Sequence, residues 1–288
     1  MILSMTGFAA ISQEFPGGIL TIELRAVNHR YFDAQMRLPE ELRVAEQQLR
    51  EQIAARVSRG KIECRVNLNQ ADNTNTAPAI NESALQQLLA LANDIRTLDQ
   101  TVQPFSAAEL LRWPGILRAQ ETPPELLQKI ALQALTKALD DFVASKAREG
   151  EKLKQILLAR CTEIERIVQD VQPKLPKILD AHMAKLTARL QEAIEHINED
   201  RFQQEFALFA QKIDIDEELN RLSTHLIEVR RILERGGQAG KRLDFLMQEL
   251  NREANTLGSK SVSSETTQAS IELKVLIEQM REQIQNIE

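Results

Sequence analysis

Aromatic residues are scarce in this chain: one Trp, one Tyr and nine Phe make up 4% of its 288 residues. That argues against a broad aromatic platform on which successive nucleic-acid bases would stack. Excess positive charge is missing too. Thirty-six Lys and Arg stand against 42 Asp and Glu, a formal net charge of -6, so there is no generally basic coat for nucleic acid. Any phosphate contact has to come from a local patch, because phosphate binding needs clustered cations rather than a high total. Cysteine is limited to Cys64 and Cys161, without CxxC spacing. Cys64 lies in register between Ile62 and Val66, and Cys161 lies near Leu157 and Ile164. Both read as small core residues, which fits a reducing compartment. No apolar run approaches a membrane span, and the opening MILSMTGFAA lacks the basic segment and long apolar stretch of a signal peptide. The expectation is a soluble, cytoplasmic protein.

Periodicity gives the organisation. In residues 18–38, Leu20, Ile22, Leu24 and Ala26 share one side while Thr21, Glu23 and Arg25 face the other, the period of a half-buried strand. After a break near Asn28, the alternation resumes through Phe32, Ala34, Met36 and Leu38. A helix is expected over 40–57 with Leu42, Leu49, Ile53 and Val57 inward, then a second strand with Ile62, Cys64, Val66 and Leu68 inward. The polar stretch 69–78 reads as a loop. Beyond it the pattern is helical over about 81–97, 106–112, 123–171, 174–197, 199–211, 214–235, 239–257 and 262–287. Breaks are expected at WPGIL (113–117) and ETPPE (121–125), and Gly150 and the pair Pro173 and Pro176 are expected to interrupt or end helices. The fold class is therefore α+β, a small N-terminal sheet with a helix on it, followed by a mostly α-helical region with long coiled-coil-like helices. Four segments follow: an N-terminal sheet-plus-helix domain (1–70), a linker with short helices (71–122), a helical arm (123–212) and a C-terminal helical domain (213–288).

Three stretches could carry chemistry. Arg25, Asn28, His29, Arg30, Arg37, Arg59, Lys61 and Arg65 lie on or beside the outward face of the expected sheet. Residues 1–70 nevertheless hold nine Lys and Arg against eight Asp and Glu. A solvated face with cross-strand ion pairs and a phosphate-contacting surface fit equally well. In 214–235, Leu219, Leu222, Leu226, Val229 and Leu233 recur at spacings of 3, 4, 3 and 4 and define a buried seam. Glu218, Arg221, His225 and Glu228 run beside it, a row that suits ordinary ion pairing along a helix, with His225 able to move a proton near neutral pH.

The third stretch is KRLDFLMQELNREANTLGSK, residues 241–260. Leu243, Leu246, Met247, Leu250, Ala254 and Leu257 form its core stripe, and Glu249 and Glu253 sit one turn apart with Glu253 at the stripe's edge. A partly buried carboxylate is costly unless a cation or hydrogen bonds satisfy it. Asp244, Gln248, Asn251, Arg252 and Asn255 occupy the other side, where amides and a guanidinium can grip phosphate or sugar hydroxyls. Carboxylates beside carbonyl and water oxygens suit Mg or Mn. A buried polar network joining helices is the competing explanation. GGQAGKR (236–242) fails as a phosphate loop, since Arg235 stands where the first glycine belongs and Arg242 where Ser or Thr belongs. It reads as a helix end and turn.

SMTGFA (4–9), RAVNHRYFD (25–33), RGKIEC (59–64), WPGIL, AREGEKL (147–153), the 241–260 stretch and the closing REQIQNIE together resemble the YicC/YloC family over essentially the whole chain. The resemblance implies a bacterial, cytoplasmic, metal-dependent endoribonuclease that acts on single-stranded RNA and assembles as a homohexamer. The family's motif residues fall here on Arg25, Asn28, Arg30, Arg59, Lys61, Glu217, Glu218, Arg221, His225, Asp244, Glu249, Asn251, Arg252, Glu253, Asn255 and Lys260. On that basis Glu218, Glu249 and Glu253 are expected to hold one or two divalent ions, Mg or Mn. His225 is expected to move a proton or to add a ligand, completing a catalytic set of Glu218, His225, Glu249 and Glu253. RNA contacts are expected from Arg25, Asn28, Arg30, Arg59, Lys61, Arg221, Asn251, Arg252, Asn255 and Lys260. Two other classes stay open: a non-catalytic oligomeric RNA-binding adaptor, and a metal-dependent hydrolase of another phosphodiester.

Overall fold

A computed structural model describes residues 1–70, 79–118, 122–193 and 214–288. Strands β1 (Gly7–Phe15), β2 (Gly18–Val27), β3 (Asp33–Arg37) and β4 (Lys61–Gln70) form one sheet in the order β1-β2-β4-β3, antiparallel except for the β3/β4 pair. The alternation seen in the sequence is the sheet's pleat: Leu20, Ile22, Leu24 and Ala26 are buried on one face together with Ile62, Cys64 and Val66. Strand β1 was not foreseen. Only Ala9 is buried along it, because this edge strand offers Ala, Ser and Gln where an inner strand would carry branched apolar residues. The segment from Glu40 begins as a 3-10 helix (Glu40–Ala45) and becomes regular in α1 (Glu46–Arg56), and its four expected inward residues are all buried.

Past the sheet, α2 (Glu82–Leu98) and α3 (Ala107–Arg112) bury little. Leu88 is buried on α2, while Leu89, Leu91, Ile95 and Leu98 are exposed. Helix α4 (Pro124–Val171) is 48 residues long, about 72 Å at the helical rise. Its first half, from Leu127 to Phe142, closes the sheet's core, and its second half, from Leu153 to Val171, joins a separate apolar cluster. Gly150 does not interrupt it, contrary to expectation. A Cβ there would run into the Ile2 carbonyl, so glycine serves close backbone contact and the helix continues past it. Pro173 does end α4, through a short 3-10 turn, before α5 (Leu175–Ala193). The helix expected over 199–211 and the loop core at 71–78 lie outside the described residues.

Helices α6 (Asp216–Arg235), α7 (Gly240–Lys260) and α8 (Ser264–Ile284) follow one another through short turns and pack with the end of α4 around Leu222, Leu226, Leu250, Leu257 and Leu273. Both described chain ends are woven into this bundle. The Gly237 amide donates to the Met1 carbonyl, the Ala239 amide donates to the Glu288 carbonyl, and Ser4 pairs with Ile287. Buried Lys146 of α4 meets the Glu288 carboxylate at 2.6 Å. The sheet therefore abuts the end of the bundle where α6 stops, α7 starts and α8 stops. Burial pushes the thiols of Cys64 and Cys161 up to about 12 and about 11, as suits core residues held protonated. Among the described residues, no helix is long and apolar enough to cross a membrane.

Candidate functional site

Antiparallel packing of α6 on α7 sets two polar rows face to face along the edge of the apolar seam. On α6 the row is Glu218, Arg221, His225 and Glu228, each a helical turn from the next. On α7 it is Lys260, Glu253, Glu249 and Arg242, met in reverse order. At the end away from the sheet, the Lys260 Nζ donates to Glu218 Oε1 at 2.8 Å and to the Asp214 carbonyl at 2.8 Å. Next, Arg221 Nη1 stands 3.6 Å from Glu253 Oε1 while its Nη2 donates to Glu217 at 2.6 Å. In the middle, His225, Glu249 and Glu253 each bring a donor atom within 4.8 Å of the others. Toward the sheet, Arg242 and Arg231 both bind Glu228, and hydrogen bonding from Arg231, then its charge and that of Arg242, holds the Glu228 carboxyl below its ordinary range. Opposite charges thus face each other across the seam, while Glu249 and Glu253 are adjacent acids along α7.

Burial separates the members of these rows. Glu253 is 3% exposed and Glu218 is 4% exposed, so each needs compensation for lost hydration. Glu253 receives it from Arg221, 3.6 Å away. Glu218 receives it through one oxygen only. Its Oε2 is buried without a hydrogen-bond partner. Glu218, expected among the ligands, is engaged with Lys260 and falls outside the three-donor group. His225 joins that group instead, as the further ligand that the sequence allowed.

An imidazole with two carboxylates, one of them buried, could hold a divalent ion. Bond lengths near 2.1 Å let one ion bridge donors roughly 3–4 Å apart, so closure at this group needs only small side-chain rotations. The imidazole weighs toward Mn over Mg, which favours oxygen-only shells.

The remaining expected residues divide. Arg252 and Asn255 are exposed on α7 and Asn251 is half-buried. The Asn28 amide donates to the Gln285 carbonyl at 2.6 Å, so this residue fastens the β2–β3 turn to the end of α8. Arg25, Arg30, Arg59 and Lys61 belong to the sheet and its turn. Glu253 lies 13 residues along α7 from Gly240 at the sheet end, about 20 Å at the helical rise. Among the described residues, no ion pair joins these sheet cations to the three-donor group. Sequence reasoning gave no part to Asp214, whose carbonyl anchors Lys260. A backbone acceptor leaves no signal in residue type.

A small sheet closed by a long helix that continues into a helical bundle, with a His–Glu–Glu group on the bundle's polar seam, defines an α+β protein. Residues 2–155 match the family described as endoribonuclease YicC-like, N-terminal region, and residues 168–288 match its C-terminal counterpart. The chain belongs to this YicC-like family. It is 40% identical over 288 residues to the probable endoribonuclease YicC of Haemophilus influenzae, with all of both chains covered. It is 28% identical over 293 residues to the probable endoribonuclease YicC of Clostridioides difficile, again over the full length of both.

Proposed function

We propose that this chain is a metal-dependent endoribonuclease that cleaves phosphodiester bonds of single-stranded RNA at the α6–α7 seam. Membership of the family and the names of its relatives support RNA as substrate, and the observation that carries the site is the convergence of His225, Glu249 and Glu253. These three hold the ion, with Glu253 fixed by the neighbouring Arg221. A bound divalent cation supplies Lewis-acid stabilisation of the charge that builds on the phosphoryl oxygens. Arg221 is about half-exposed, and its guanidinium can turn from Glu217 to a phosphate. Arg252, exposed one turn from Glu249, offers a second phosphate contact. Lys260 and Glu218 hold the ends of α6 and α7 in register, so their part in the site is positioning.

Assembly of several copies, hexameric by resemblance, belongs to the same proposal. It would cover the exposed apolar side chains of α2 and bring one subunit's sheet cations toward another's seam. A cytoplasmic location belongs with it.

The test is cleavage of an end-labelled single-stranded RNA with Mn, Mg or EDTA, run beside Glu253→Gln at matched helicity and assembly state. Metal-dependent cutting that falls at least about 1,000-fold in the variant is the expected outcome, equivalent to about 4 kcal/mol of transition-state stabilisation. Binding without cutting under every metal would replace the enzyme by an RNA-binding adaptor.

A further inference from the structure

The chain's one tyrosine is displayed in water. Tyr31 is 64% exposed on the turn between β2 and β3, although aromatic side chains usually bury their rings. The turn beneath it is fastened on three sides. His29 Nδ1 lies 2.9 Å from the Tyr31 carbonyl oxygen, Arg59 Nε donates to the His29 carbonyl at 3.3 Å, and Asn28 ties the turn to α8. The Asp33 amide donates to the Gly60 carbonyl at 3.0 Å and closes the base. The ring itself is flanked by charge and by a second ring. The Arg30 guanidinium stands 5.4 Å from its centroid, and the His29 ring meets it edge-on at 6.5 Å.

The cations around this turn differ from those elsewhere on the sheet. Arg37 and Arg65 both pair with Glu63, as a solvated face would have them. Among the described residues, no carboxylate lies within ion-pair distance of Arg25, Arg30, Arg59 or Lys61, although Glu63 stands opposite Arg25 and Asp33 opposite Lys61 in the register. An ordered exposed ring with unpaired guanidinium and ammonium groups around it matches the chemistry of an unstacked base on a phosphate backbone.

We propose that the β2–β3 turn is a single-base platform for single-stranded RNA, with one base stacked on Tyr31 between Arg30 and His29 and the flanking phosphates held by Arg59 and Lys61. The platform rests on the reading of this protein as RNA-directed and adds a binding subsite at the sheet end of the bundle, apart from the three-donor group. One ring stacks one base, so the chain's poverty in aromatics is no obstacle.

The test is fluorescence anisotropy of the full-length protein in EDTA with a labelled single-stranded RNA and with the same backbone carrying abasic positions, for the parent, Tyr31→Ala and Tyr31→Phe. Tyr31→Ala is expected to bind the RNA about tenfold more weakly or worse, to bind the abasic strand like the parent, and to keep the parent's salt dependence. Tyr31→Phe is expected to bind the RNA like the parent, since the ring is retained. Unfolding transitions matched to the parent separate a binding loss from misfolding. Equal loss on both strands would overturn the platform, because the turn would then serve the phosphates alone; so would unchanged RNA binding by Tyr31→Ala. A parent that cleaves RNA while Tyr31→Ala binds normally removes the platform and spares the enzyme reading. A parent that neither binds nor cuts RNA removes both.

Discussion

Among the described residues, Arg25, Arg30, Arg59 and Lys61 reach water with no carboxylate within ion-pair distance, whereas Glu218 and Glu253, on the α6–α7 seam, are buried with cations 2.8 and 3.6 Å away. Hydration explains the difference. An exposed cation keeps its water shell and needs no partner, so it stays available for a ligand that arrives later. A buried carboxylate has lost that shell and is tolerable only with a cation, a hydrogen bond or a metal in its place. The seam is therefore preorganised and strongly coupled. The turn is additive and salt-sensitive. Substitutions should reveal this directly, with large and non-additive effects in the seam and small, independent ones at the turn.

The largest effect is expected from loss of a metal ligand. His225→Ala should weaken Mn binding by at least about 100-fold, or about 2.7 kcal/mol, measured by electron paramagnetic resonance titration of the unfractionated holoprotein. Unchanged Mn affinity would leave the three-donor group as an ordinary polar network. Next in size is Lys260→Met, which strips Glu218 of its one partnered oxygen while the other is already unsatisfied. Removing one member of a buried pair costs about 3–5 kcal/mol. Lys260 is 27% exposed and Glu218 lies in the positive first turn of α6, which lowers the expectation to about 2 kcal/mol in urea unfolding. Adding Glu218→Gln should recover most of that loss, since an amide is cheaper to bury than a lone carboxylate. Simple addition of the two costs would show that the pair is not coupled.

The seam was legible in the sequence to the extent that periodicity governs it. The spacing of Leu219, Leu222, Leu226, Val229 and Leu233 placed the buried stripe, and that stripe fixed which side chains run beside it. The partners across the seam were not legible. Residue types alone make Glu218 as good a ligand as His225; only the register of α6 against α7 sends Glu218 to Lys260 and His225 to Glu249 and Glu253. Gly150 misled for a related reason. Its local cost in a helix, about 1 kcal/mol against Ala, is visible in the sequence, whereas the Ile2 backbone that requires it comes from 148 positions away. At the turn, the motif residues were visible as cations, but not which of them lacked a partner. Glu63 decides that by taking Arg37, which the pairing of β3 with β4 brings beside it, and Arg65, two positions along its own strand.

The smallest effect is the most diagnostic of the turn. Arg59→Ala should weaken RNA binding only a few-fold at moderate salt, because one solvated phosphate contact is partly replaced by water and counterions. Its signature lies in the salt dependence. A residue that displaces one counterion contributes about one unit to the slope of log affinity against log salt, so the slope should fall by about one. The Arg59 Nε also donates to the His29 carbonyl, and that bond predicts a second, separable consequence. If its main task is to hold the turn, Arg59→Ala should lose affinity for the RNA and not for the abasic strand, with the salt slope unchanged. If its main task is the phosphate, both strands should weaken together and the slope should drop. With Arg59 placed on a phosphate, an unchanged slope would move it from the ligand's side of the turn to the protein's.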